Sequence, residues 1–155
     1  MHRTSFTVLL TGMFLLSLSP WLTAQEDPIS DRQNLMKSNN KISRSLKNAV
    51  KEKDFAAIQA GAKTLMANAE KIPALFPKGS LGEKSKATKA VWDDFDGFKQ
   101  HAGWLKKGAE GLAAAAASKD AEMVGLEYDA VNSACNQCHR DYRKSLRKGS
   151  GKKKK

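Results

Sequence analysis

The chain has 155 residues, 41% hydrophobic and 28% charged. That suits one globular domain and excludes both a disordered chain and two full domains. Two cysteines exclude a disulfide scaffold and a lone four-cysteine zinc or iron–sulfur site. The net charge of +11 is concentrated at one end: residues 140–155 hold nine basic residues and one acid, while Gln25–His139 carry a net of only +2. A nearly neutral body argues against nucleic-acid binding.

Met1–Ala24 reads as a secretory signal peptide. Arg3 precedes the mostly apolar run Phe6–Leu18, Ser-Pro breaks it, and Leu22-Thr23-Ala24 offers a cleavage site. The run is short for a membrane span, and no later segment of the mature chain is apolar enough to be one. Export is expected, with residues 25–146 as the folded domain and 147–155 as a basic tail.

Four helical segments follow. The first is expected from about Pro28 to Lys51, with Leu35, Ile42, Leu46 and Ala49 inward and Asn39 where a core residue belongs. The second begins after Asp54 and spaces Phe55, Ile58, Ala62, Leu65, Ala69 and Ile72 by three and four, the pattern of a bundle seam. Pro73 and Pro77 end it, and Phe76-Pro-Lys-Gly-Ser80 forms a loop. The third is expected from about Lys84 to Ser118, with Val91, Phe95, Phe98, Ala102, Leu105, Ala109, Leu112 and Ala116 along its seam. The fourth is capped by Asp120 and runs to about Leu146 through Val124, Tyr128, Val131, Cys135 and Cys138. No period-two alternation calls for a strand. The fold class is therefore all-α, an antiparallel up-down-up-down four-helix bundle.

Cys135-Asn136-Gln137-Cys138-His139 is the attachment sequence of haem c. On a helix, positions i, i+3 and i+4 share a face, so two thiols and an imidazole meet one porphyrin. A redox Cys-x-x-Cys needs a strand–helix setting that is absent. A zinc site lacks ligands, since only His101 and His139 remain in the mature chain. With the first and fourth helices antiparallel, His139 and Met36 fall about 10 and 12 Å from the same bundle end. Leu65, Met66, Trp92 and Phe95 come to a similar level. Met36 leads as sixth iron ligand, Met66 is second, Met123 sits at the wrong end, and His101 is placed about 12 Å too far along.

These features resemble the class II cytochromes c, the cytochrome c′ family, over nearly the whole mature chain. The resemblance rests on Arg32-Gln33-Asn34-Leu35-Met36-Lys37, on Val91-Trp92 with Phe98, and on Cys135 through Arg143. It implies one covalently attached haem c, thioethers at Cys135 and Cys138, and His139 as proximal iron ligand. It places Met36 at the distal face, Arg32 and Gln33 near the haem propionates, Arg143 on the proximal side, and Trp92 and Phe95 in haem packing. The short link Glu52–Asp54 resembles the low-spin, methionine-ligated branch. Asn39 and Asn40 either line the distal pocket or face water, and water or a register role is preferred.

The expected function is that of a periplasmic monohaem one-electron carrier with His139/Met36 ligation. Its partners are redox proteins, acidic ones being steered by the lysine tail. The alternative is a five-coordinate haem protein that binds nitric oxide or carbon monoxide, with Met36 only covering the iron. No acid, base and nucleophile gather near the motif, so an enzyme is not expected. A homodimer is left open.

Overall fold

A computed structural model describes residues 27–145. The expected signal peptide and basic tail lie outside the described residues. The helices are α1 (Pro28–Glu52), α2 (Phe55–Lys71), a short α3 (Ala90–Asp93), α4 (Phe95–Ala117) and α5 (Ala121–Tyr142), with a 3-10 turn at Pro73–Leu75. Four long helices form the expected all-α bundle. α1 packs on α2, α2 on α4 and α4 on α5, whereas α1 and α5 make no comparable contact. That open seam is where the site lies.

Local chemistry explains the helix ends. Asp27 caps α1 by accepting from the Ile29 N–H, with Pro28 at the first helical position. Lys53 closes α1 in the left-handed conformation at φ 57°, and Asp54 immediately caps α2 through the Ala57 N–H. This tight turn makes α1 and α2 antiparallel neighbours. Ile58, Ala62, Leu65, Ala69 and Ile72 are buried as their spacing required. So are Val91, Phe98, Ala102, Leu105, Ala109, Leu112 and Ala116. Gly108 is needed for close approach, since a Cβ there would stand 3.3 Å from the Val131 backbone N on α5.

Two helix boundaries are corrected. The third helix does not start near Lys84. α3 covers one turn, Asp94 leaves helical geometry at φ −130°, and its carboxylate caps α4 through the Gly97 N–H. The fourth helix ends at Tyr142, not near Leu146, because Arg143 becomes extended and bridges Ala87 in antiparallel fashion. Backbone bonds from Thr88 N to Tyr142 O (2.9 Å) and from Lys144 N to Lys86 O (2.8 Å) secure that pairing. His139 therefore lies three residues from its helix end. For Asn39 the register role holds, rather than exposure to water. It is buried, and its Oδ1 accepts from Asn68 Nδ2 at 2.8 Å, pinning α1 to α2 in register.

The amide pair makes a stability prediction. Asn39→Leu leaves the Asn68 amide buried without its acceptor and is expected to cost about 1–3 kcal/mol. Asn39→Leu with Asn68→Leu should recover most of that loss. Urea midpoints of the two variants check this, and equal losses would remove the amide bond as the cause.

Candidate haem site

A cavity of about 570 Å³ opens between α1 and α5, a size in the range of small-molecule and cofactor sites. α1 contributes Arg32, Gln33, Met36, Lys37 and Asn40. α5 and the residue after it contribute Cys138, His139, Tyr142 and Arg143. Phe76, Lys86, Ala87, Val91 and Phe98 close the remaining wall. Met36 and His139 thus line one cavity from opposing helices. Cys135 is half-buried one turn above Cys138 on α5 but does not border the space.

The electrostatics of the wall have one sign. Arg32, Lys37, Lys86 and Arg143 line the cavity and no Asp or Glu does. Burial pushes the Cys135 thiol up, and burial with the charges of Cys135 and Asp141 pushes Cys138 to about 11. Burial, then the Arg143 charge, lowers the His139 pKa. That direction favours the neutral ring, the form that ligates iron. The donor set fits haem c: two spaced thiols and an imidazole on one helix, apolar walls, and cations for two carboxylates.

Arg32 is only 4% exposed, so it is no surface charge. Nη1 donates to Leu75 O and Ser80 Oγ, and Nη2 to Ser80 O and Ser85 Oγ. Its guanidinium lies 4.8 Å from the Phe76 ring centroid and 5.9 Å from that of Trp92. The fork therefore clamps the loop between α2 and α3 onto α1. With its terminal N–H groups occupied, Lys37, Lys86 and Arg143 are the cations left to face anionic groups in the cavity. Gln33 Nε2 donates to Lys84 O at 3.0 Å, anchoring the same loop.

Trp92 and Phe95 do not line the cavity. The Trp92 indole N–H donates to Phe76 O and Pro77 O, and Phe95 lies half-buried beside Phe98, with ring centroids 6.0 Å apart. The aromatic wall is Phe76, Phe98 and Tyr142, with centroids 4.7 Å apart for Phe76–Phe98 and 5.3 Å for Phe98–Tyr142. The sequence marks Phe76 only as a loop residue. Phe98 and Tyr142 stood in the resembling stretches without a wall role. Met66 is half-buried against the core and borders no part of the cavity.

His101 is nearer the motif than helix counting placed it. The break at Asp94 restarts the helix, so His101 is only six residues into α4. Its ring is buried 5.2 Å from Tyr142, and Nε2 lies 3.5 Å from Asp141. It still stands outside the cavity.

Tyr142 donates to Asp94 Oδ2 at 3.0 Å. Gly97 makes room for this contact, since a Cβ there would fall 2.8 Å from the Tyr142 hydroxyl. Burial, then the hydrogen bond to Asp94, push Tyr142 up to about 12. The unfolded phenol ionises near about pH 10, so the unfolded chain loses its proton first. Stability should fall as pH rises from about 10 to about 12. A urea series over that range checks this, and Tyr142→Phe should flatten the decline.

A family model described as cytochrome c′ matches residues 27–143. The chain is 34% identical over 83 residues to cytochrome c′ of Rhodospirillum rubrum, covering 53% of this chain and 56% of that protein. It is 34% identical over 90 residues to cytochrome c-556 of Agrobacterium fabrum, covering 58% and 60%. The chain thus spans somewhat more than half the length of these curated relatives. A solved nitric oxide complex of a mutant cytochrome c prime from Alcaligenes xylosoxidans superposes with a TM-score of 0.70 at 26% identity, covering 77% of this chain and 94% of that one. With the family model spanning all four long helices and the attachment sequence, the chain belongs to the cytochrome c′ family, whose cofactor is covalently bound haem c.

Proposed function

We propose that this is a periplasmic cytochrome c′-type haem protein whose iron is held by His139 and binds a diatomic gas, nitric oxide or carbon monoxide. The observation that carries the reading is the cytochrome c′ match over residues 27–143. The nitric oxide complex of a similar bundle supports the ligand class. This reverses the order of the sequence expectation, which put electron carriage first.

Bound haem supplies one-electron chemistry and an iron site for the gas. The chain's own residues do the rest. Cys135 and Cys138 are the thiols that would hold the haem as thioethers, and His139 is the imidazole that would ligate its iron. Phe76, Val91 and Phe98 supply the apolar wall, and Lys37, Lys86 and Arg143 are the cations that would meet the haem carboxylates. Residues 1–24 are proposed as the export signal. Among the described residues no helix is long and apolar enough to cross a membrane.

A second reading, electron carriage with Met36 as sixth ligand, is favoured by the presence of Met36 in the same cavity as His139. Visible spectra of wild type and Met36→Ala separate the two. Under the gas-binding reading, the wild type gives broad high-spin bands and binds carbon monoxide, and Met36→Ala scarcely changes the spin state. A low-spin wild type with the weak far-red oxidised band of methionine–iron ligation, converted to high spin by Met36→Ala, would replace it with the second.

A further inference from the structure

Although the body of the chain is close to neutral, its charge is not spread evenly. From Arg32 to Lys51, α1 carries six basic residues and no acid. Arg32 is buried, but Lys37, Lys41, Arg44, Lys47 and Lys51 are all exposed. Their spacing of four, three, three and four keeps them on one face of the helix, opposite buried Asn39 and Leu46. The row is about 21 Å long and begins at Lys37, which borders the cavity.

Among the described residues, none of these five side chains makes an ion pair. The described ion pairs lie elsewhere: Lys89–Asp93, Lys99–Asp96, Lys106–Glu70 and Arg140–Asp141. Like charges at i, i+4 oppose helix formation, so Lys37–Lys41 and Lys47–Lys51 work against α1. Interspersed acids would relieve that cost, and α1 has none in this stretch. The exposed large apolar side chains, Leu81, Trp104, Met123 and Leu126, are all off α1. The ridge thus offers a bilayer no apolar group to insert. It suits a carboxylate-rich protein surface, which long-range attraction would bring to the cavity mouth.

We infer that the outer face of α1 is the docking surface for an acidic partner protein. The inference rests on the haem-protein reading only in placing the haem beside the ridge. It does not depend on spin state or gas binding.

The test titrates the full haem-loaded chain with poly-L-glutamate by calorimetry at low and high salt. Three variants are compared. One reverses the ridge (Lys41→Glu, Arg44→Glu, Lys47→Glu). One makes the same charge change off it (Lys63→Glu, Lys78→Glu, Lys107→Glu). One lacks residues 149–155. Wild-type affinity should fall with salt. The ridge variant should bind about tenfold more weakly than the off-ridge variant, with its visible spectrum and carbon monoxide binding unchanged. Equal losses in the two triple variants would overturn the inference, because net charge alone would then explain binding. Loss confined to the tail deletion would overturn it in favour of the tail. Phosphatidylglycerol vesicles that need the ridge when poly-L-glutamate does not would overturn it in favour of a membrane.

Discussion

Arg32→Ala is expected to destabilise the bundle by about 3–4 kcal/mol, which corresponds to a melting temperature lower by about 10 °C. The change removes four hydrogen bonds, to Leu75 O, Ser80 O, Ser80 Oγ and Ser85 Oγ. Ser85 is itself buried, so its hydroxyl loses a partner where water does not easily replace it. The guanidinium also leaves the faces of Phe76 and Trp92. Arg32→Lys should recover little, since an ammonium does not reproduce the fork. Hydrogen exchange should rise over residues 76–88, the segment held between Arg32 and the Ala87–Arg143 bridge. Unchanged exchange there would mean that the loop is held by other contacts.

Replacing Cys135 and Cys138 together by serine should abolish covalent haem attachment. After denaturation the haem should separate completely from the polypeptide, which mass spectrometry of the intact chain reads directly. Each single variant should retain one thioether. The double variant should also melt lower by on the order of 10 °C or more, because haem then stabilises the fold only by reversible binding. The weak point is the α1–α5 seam, where the cavity stands in place of side-chain packing. A haem that stays bound to the double variant after denaturation would remove the thiols as its points of attachment.

Parts of the site differ in how far they were legible in the chain. The positions of Cys135, Cys138 and His139 on one helix followed from their spacing alone. That Met36 and His139 share a cavity was anticipated by counting residues from helix ends, yet the count assumed an α5 that ran to Leu146. The structure reaches the same juxtaposition with an α5 that ends at Tyr142. Counting failed for His101, because nothing periodic announces that Asp94 interrupts the third segment. It failed for Trp92 too. Trp92 shares a helical seam level with the site, but its indole N–H turns to the carbonyls of Phe76 and Pro77.

The amino-acid sequence by itself determined the four long helices, the starts at Asp54 and Asp120, most of the buried seam residues and the attachment motif on α5. All of these depend on residues within a turn or two of one another, where propensity, capping and the 3.6-residue period act directly. Tertiary structure alone decided which aromatic rings face the cavity, that Arg32 clamps a loop, that Asn39 meets Asn68, and that α5 ends by pairing Arg143 with Ala87. Those partners lie 29 to 56 residues apart in the chain. Each joins polar or backbone groups that carry no periodic signal, and they find one another only once burial has removed the competing bonds to water.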